Sequence, residues 1–229
     1  MYHTNNTNND DVYMSALSTS ENAEFFALMV ERRDTFKRLM AYYRCAIKEI
    51  ETKFRFLDEE YSLLNDRNPI CSIHTRLKSI PSILDKLHRR NLPLSFASVE
   101  NELCDIAGIR VVCSFEQDVY KLCDALLSQD DIELLEMKDY NKNPKANGYR
   151  SLHLIVVVPI FLEKEKKMMK VEIQLRTIAM DCWATLEHQL RYKKGVEIDP
   201  EMHEALNRCA RLSADLDKEM DDLREKTKI

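Results

Sequence analysis

The stretch from residue 139 to 193 constrains the fold more than any other part of this chain. DYNKNPKANGYRSLH is a Pro/Asn/Gly turn that runs into a strand. MMKVEIQLRT then alternates strictly, with Val171, Ile173 and Leu175 on one side and Glu172, Gln174 and Arg176 on the other. IAMDCWATLEHQLRYK continues at helical period. A sheet made of such strands keeps one apolar face for a core and leaves a polar face open. The preceding strand, read as Tyr149 to Val158, adds Tyr149, Ser151 and His153 on a common side. Gly148 lets the backbone come close, and Tyr149 offers a flat ring whose stacking area matters more than its hydroxyl. Such a surface suits something flat and charged.

The rest of the chain supplies helices and further strands. Residues 1 to 20, rich in Asn, Thr, Asp and Ser and without an apolar h-region, read as a disordered tail rather than a signal. Residues 21 to 66 form a helical segment, free of Gly and Pro and stopped by NDRNP. Ile70 to Arg76 alternates, with Cys71 and Ile73 on one side. A helix begins at Ser79 or Ile80, with Pro81 in its first turn, and ends near Arg90. A short helix follows over Phe96 to Cys104. In AGIRVVCSF the residues Ile109, Val111, Cys113 and Phe115 share one face and Arg110 points to the other. Asp118 to Leu127 is a helix and Ile132 to Lys138 a strand. On the helix Ile178 to Lys193 the stripe Trp183, Leu186 and Leu190 reads as core, with Asp181 and His188 opposite. The closing helix, Pro200 to Lys226, carries a stripe of Met202, Leu206, Cys209, Leu216, Met220 and Leu223. The sum is α+β architecture: a central mixed β-sheet flanked by helices, with long N- and C-terminal helices. Its segments are a tail (1–20), a helical segment (21–66), a main domain (67–195) and a closing helix (196–229).

Composition narrows the function classes. The 229 residues carry a net charge of −5, which argues against a surface given over wholly to nucleic acid. Seven cysteines without a C-x-x-C pair indicate reduced thiols and a cytoplasmic setting, with Cys113 and Cys123 as small buried hydrophobes. The longest apolar run, Leu152 to Leu162, contains His153 and Pro159 and is too short to span a bilayer, so no membrane partner is expected.

Four constellations stand out. Arg76, Lys78, Lys86, Arg89 and Arg90 are offset only by Asp85. They flank a helix N-terminus that offers free N–H groups to phosphate, although the same pattern describes a solvated helix face. Asp105, just before a strand, and Glu172, mid-strand on the side away from the apolar residues, are two carboxylates that could hold Mg²⁺ together; each could equally be an outward-facing acid. NPKANGYRSLH sets Tyr149 after a tight turn. His153 reads equally as a hydrogen-bonded structural histidine and as a base.

Taken together, R-x-K-S-x-x-S at Arg76 to Ser82, DIAGIRVVCSF at 105 to 115, KDYNKNPKANGYRSLH at 138 to 153, VEIQLRT at 171 to 177 and AMDCWATLEHQLRYK at 179 to 193 resemble the RelA/SpoT-homologous synthetases. The short form, the small alarmone synthetase, fits best, over about residues 25 to 225. The resemblance implies a nucleotidyltransferase-like synthetase fold. It implies transfer of pyrophosphate from ATP to the 3′-hydroxyl of GDP or GTP, giving ppGpp or pppGpp and AMP. No His-Asp dipeptide occurs, so the family's hydrolase signature is missing and a synthetase-only protein is implied. By the same resemblance Arg76 and Arg110 sandwich the adenine, while Lys78, Ser82, Lys86 and Arg89 hold the ATP phosphates. Asp105 and Glu172 bind Mg²⁺, and Glu172 lies beside the acceptor hydroxyl as general base. Tyr149 stacks on guanine, with Gln174, Asp181, His153 and Lys145 nearby. Some small synthetases are tetramers whose central cleft binds product as activator, through a basic pair on the first helix and an aromatic-Val-Thr-Gly run. This chain has Glu51 and Arg55 in the first place and Ser72 to Thr75 in the second, which predicts a weak response to product, while the apolar stripes of the first and last helices predict a homo-oligomer, tetramer favoured. Two alternatives stay open. One is a relative acting on an adenine nucleotide or the tRNA 3′ end. The other is a non-catalytic module binding single-stranded RNA.

Overall fold

The computed structural model describes residues 27, 30–65, 67–191 and 199–227; the tail read over 1–20 lies outside them. The elements run α1 (Arg33–Asn65), β1 (Ile70–Leu77), α2 (Ile80–Arg89), α3 (Phe96–Glu102), β2 (Ala107–Cys113), α4 (Glu116–Leu127), β3 (Glu133–Asp139), β4 (Leu152–Phe161), β5 (Lys166–Thr177), α5 (Ile178–Arg191) and α6 (Pro200–Thr227). The five strands form one sheet in the order β1-β2-β5-β4-β3. Only β2 and β5 pair in parallel; the other three pairings are antiparallel. This is the mixed α+β sheet that the alternating patterns predict.

One face of the sheet carries the core. Ile109, Val111 and Cys113 of β2, Leu152, Leu154, Val156 and Val158 of β4, and Val171, Ile173 and Leu175 of β5 are buried there. Against them pack Tyr43, Ile50 and Phe54 of α1 and Val119, Leu122 and Leu126 of α4. Burying one such side chain contributes about 1.5–3 kcal/mol, so this layer holds the open face in place. α1 lies across β1, β2, β4 and β5. Within its last turns Asp58 accepts from the backbone N–H of Ile70 at 3.1 Å and from the side-chain amide of Asn68 at 3.1 Å, tying α1 to the start of β1. Cys113 and Cys123 are buried, as expected.

Three readings need correction. The register of β1 against β2 slips between Ile70 and Ser72. This bulge leaves Cys71 exposed while Ile73 packs on the core, so the two do not share a face. β4 begins at Leu152, not Tyr149. The groups ahead of it are taken by the turn, with Gly148 N–H donating to Lys145 O and Lys145 N–H to Tyr149 O. Ser151 is fully buried and donates to the carbonyl of Leu175 at 3.2 Å instead of joining His153 on the open face. On α5, Trp183 is buried, but Leu186 and Leu190 are 54% and 44% exposed. Leu186 lines an apolar groove between α5 and α6, with Leu212, Leu216 and Met220. Among the described residues no helix is long and apolar enough to cross a membrane.

Candidate active site

Strand register aligns the polar face into two neighbouring rows. Arg76 of β1 stands opposite Gly108 of β2, which stands opposite Glu172 of β5. One step on, His74 faces Arg110, Arg110 faces Gln174, and Gln174 faces His153 of β4. Gly108 has no side chain, so the floor between Arg76 and Glu172 is open. There His74, Thr75, Arg76, Gly108, Arg110, Glu172 and Gln174 line a cavity of about 90 Å³. The sequence spaces these residues by two along each strand, and the sheet turns that spacing into one wall.

Arg76 also lines a second, wider recess of about 720 Å³ with Lys78, Ser79, Ser82, Asp85, His88 and Arg89. The α2 helix builds its rim. Ser79 is the N-cap, accepting from the Ser82 backbone N–H at 3.4 Å. Ile83, Leu84 and Leu87 turn into the core, so the cationic side of the helix faces out. Lys78 and Lys86 both reach the same oxygen of Asp105, Oδ2, at 2.6 Å each. Asp105 Oδ1 is buried and has no hydrogen-bond partner among the described residues. Burial would lift the Asp105 carboxyl, but hydrogen bonds and charge from Lys78 and Lys86 outweigh it and hold the group below the usual carboxylate range. Lys78 is pulled down by burial more than Asp105 restores it.

On the other side of Glu172 lies a network centred on a buried arginine. Arg176 Nη2 donates to the Tyr149 hydroxyl at 2.7 Å and to Gln174 Oε1 at 2.8 Å. Its Nη1 donates to Asp181 Oδ1 at 2.9 Å, and Arg110 Nη1 reaches that same oxygen at 2.8 Å. Gln174 Nε2 donates to Glu172 Oε2 at 3.1 Å. Burial works against the Asp181 carboxylate, yet the hydrogen bond and charge of Arg110, joined by Arg176, bring its pKa below the ordinary value. Tyr149 meets His153 at 2.8 Å, hydroxyl to Nε2. Tyr140 closes the other side, edge-on to both rings at 6.1 and 5.2 Å. The Lys145 ammonium sits 4.6 Å from the Tyr140 ring centre and 4.9 Å from that of Tyr149. Burial, then Lys145, Arg176 and Lys138, push the His153 imidazole down to about 3, so it is neutral near pH 7.

The turn that presents Tyr149 is held from behind. Gly148 has φ of 84°, and a Cβ there would lie 2.4 Å from the Cβ of Ala210 on α6. Asn147 donates to Glu187 of α5 at 3.2 Å, and Arg150 pairs with Asp217 of α6 at 3.0 Å and Glu116 at 2.9 Å.

The expected site residues therefore gather into two subsites. Arg76, Lys78, Ser82 and Arg89 line one recess, Lys86 joins Lys78 on Asp105, and Arg110 and Gln174 line the cavity with Glu172. Lys145, Tyr149 and His153 cluster on the far side, and Asp181 links that side to Arg110. Asp105 and Glu172 are less directly joined. Asp105 lies just ahead of β2, three residues upstream of Gly108, the residue facing Glu172. Among the described residues no group of three or more His, Cys, Asp or Glu is placed to hold a metal ion. Two carboxylates and an unengaged buried oxygen suit a cation that takes its remaining ligands from water and phosphate, as Mg²⁺ does. Sequence reasoning did not assign Arg176 or Tyr140 to the site. Alternation placed Arg176 on the correct side but gave no depth. Tyr140 sits beyond a strand end, where period fails.

The chain is similar to known proteins over most of its length. Residues 75–197 match the family model described as "Region found in RelA / SpoT proteins". The GTP pyrophosphokinase YwaC of Bacillus subtilis is 37% identical over 187 residues, 82% of this chain and 89% of that protein. The crystal structure of small alarmone synthetase 1 from Bacillus subtilis bound to its product pppGpp superposes with a TM-score of 0.76 at 34% identity, covering 84% of this chain and 97% of that one. The same enzyme bound to AMPCPP gives a TM-score of 0.72 at 32% identity, with 85% and 98% covered.

Proposed function

Since the chain belongs to the RelA/SpoT family, we propose that it is an alarmone synthetase. It moves pyrophosphate from ATP to the 3′-hydroxyl of GDP or GTP, giving ppGpp or pppGpp and AMP. The carrying observation is the position of Glu172, between a cation-lined recess on one side and an aromatic turn on the other. Arg76 and Arg110 take the adenine between planar guanidinium groups. Lys78, Ser82, Lys86 and Arg89 take its phosphates, and phosphate charge draws Lys78 and Lys86 away from Asp105. Tyr149 receives the guanine, with Tyr140 and His153 as walls and Lys145 beside the acceptor phosphates.

Glu172 accepts the proton of the 3′-hydroxyl. The freed oxygen attacks the β-phosphorus of ATP, the bond to the α-phosphate bridging oxygen breaks, and AMP leaves with that oxygen. Asp105 and Glu172 would hold Mg²⁺, which supplies charge neutralisation on the phosphates when bound. The protein's own share is mainly placement of the two substrates in line.

Self-association is part of the same reading, tetramer favoured. Phe56, Leu63 and Leu64 on α1 and Leu212, Leu216, Met220 and Leu223 on α6 are exposed, more apolar surface than a lone helix pair leaves open. Glu51 and Arg55 pair with each other at 2.6 Å, so this part of α1 offers a phosphate-rich effector no free basic pair, and activation by product is weak. Labelled ATP, incubated with Mg²⁺ and each of GMP, GDP, GTP, ATP and a tRNA, then resolved by thin-layer chromatography, tests the whole. Label should pass to GDP or GTP alone. Transfer to adenine nucleotide or tRNA, or RNA binding without transfer, would replace this reading with one of the alternatives.

A further inference from the structure

Arg176 is 7% exposed and lines neither recess described above, yet it hydrogen-bonds Gln174, which lines one of them, and also Tyr149 and Asp181. We infer that Arg176 is a positioning residue for this reaction: one buried guanidinium that sets the orientation of Tyr149 and His153 on the acceptor side, of Gln174 beside Glu172, and of Asp181 beside Arg110. The inference rests on the proposed function only for the names of those sides.

Hydrogen-bond direction carries it. A guanidinium donates and never accepts. The Tyr149 oxygen, receiving Arg176 Nη2 at 2.7 Å, must therefore turn its own proton elsewhere. The arrangement we assign sends that proton to His153 Nε2 at 2.8 Å, which puts the proton of the neutral imidazole on Nδ1. The second branch follows the same logic. Arg176 Nη2 reaches Gln174 Oε1 at 2.8 Å, which fixes the amide orientation and aims its NH₂ at Glu172 Oε2, 3.1 Å away. Flipped, the amide would set a donor against the guanidinium and an acceptor against the carboxylate. The third branch holds Asp181 Oδ1 at 2.9 Å, where Arg110 also binds. One side chain thus decides which way two amphoteric partners point. The guanidinium carbon also lies 5.1 Å from the Tyr149 ring centre, a contact that steadies the ring itself.

Arg176→Lys tests this, because lysine keeps the charge but loses the planar fork that serves three partners at once. Initial rates over both substrates, calorimetry with a non-hydrolysable ATP analogue, the melting midpoint and ¹⁵N NMR of His153 are read together. The variant should melt near wild type and bind the ATP analogue nearly as well. Its acceptor KM should rise and its kcat fall by up to roughly 100-fold, and His153 should lose its single Nδ1–H tautomer. Tyr149→Phe, which cuts only the first branch, should disturb the tautomer and the acceptor KM more than kcat. A folded Arg176→Lys protein with unchanged kcat, acceptor KM and His153 tautomer would overturn the inference. If Arg176→Lys does not fold, an unchanged tautomer in Tyr149→Phe overturns it. Should wild type transfer pyrophosphate to no guanine nucleotide, the functional reading fails, while the tautomer still decides the role of Arg176.

Discussion

Asp105 and Glu172 carry the same charge in different settings, and their removal has different consequences. Glu172→Gln keeps size and can still accept from Gln174, so the melting midpoint should hold while turnover falls by about 10²–10⁴-fold. Asp105→Asn leaves Lys78 and Lys86, both largely buried, facing a neutral group. Breaking such a pair costs about 3–5 kcal/mol, so this variant should lose activity and stability together in thermal melts and product assays. His153 makes a pH prediction. The unfolded imidazole titrates near 6.5 and the folded one near 3. Between those values the unfolded chain binds a proton that the fold does not, so stability falls as pH drops, by up to about 1.4 kcal/mol per unit. Urea midpoints at about pH 7 and about pH 5 should differ less in His153→Gln than in wild type. The sides taken by Arg110, Glu172 and Gln174 were legible from alternation alone. Which groups share an oxygen was not: the Lys78 and Lys86 contacts with Asp105, and those of Arg176, depend on depth and rotamer, which a period of two does not encode.

Among elements, the turn over 145–149 and α6 form a joint with almost no slack. A left-handed backbone costs an L-residue about 1–2 kcal/mol, and at Gly148 a new methyl would also meet the fixed Cβ of Ala210 at 2.4 Å. Gly148→Ala should lower the melting midpoint and raise the acceptor KM. Adding Ala210→Gly should recover part of both, since it relieves the overlap but not the backbone strain. The joint was half legible. Pro144 and the Asn147-Gly148 pair mark the tight turn and Ser79 with Pro81 marks the start of α2, but contact with a helix far along the chain leaves no local trace. The bulge in β1 and the late start of β4 were missed for a related reason. Backbone groups of Tyr149 are used by the turn, and β-propensity does not register that competition. Leu186 and Leu190 fit the helical period as well as Trp183 does, and period alone cannot say which apolar stripe the monomer covers.

At the scale of the molecule, the class of fold followed from patterns, while the pairing did not. β2 and β5 are parallel neighbours with two strands and a helix between them in sequence, and no local signal announces such a crossing. The open stripe of α6 carries its own test. Leu216→Glu puts a charge on the apolar groove, where Leu216 is 54% exposed, so the monomer should keep its fold while light scattering reports a lower mass than wild type. If wild type is itself monomeric in light scattering, self-association is lost as a claim. The seating of the acceptor turn against α6 also orders events during synthesis. α2, β2 and β5 leave the ribosome before the helix that supports Gly148 and pairs with Arg150. A chain that lacks α6 keeps its cationic recess but loses the α6 contacts at Gly148 and Arg150, leaving Arg176 and the Asn147–Glu187 bond to hold the turn. An incomplete copy is therefore expected to turn over acceptor more slowly than the finished chain, a consequence of the order in which its parts are made.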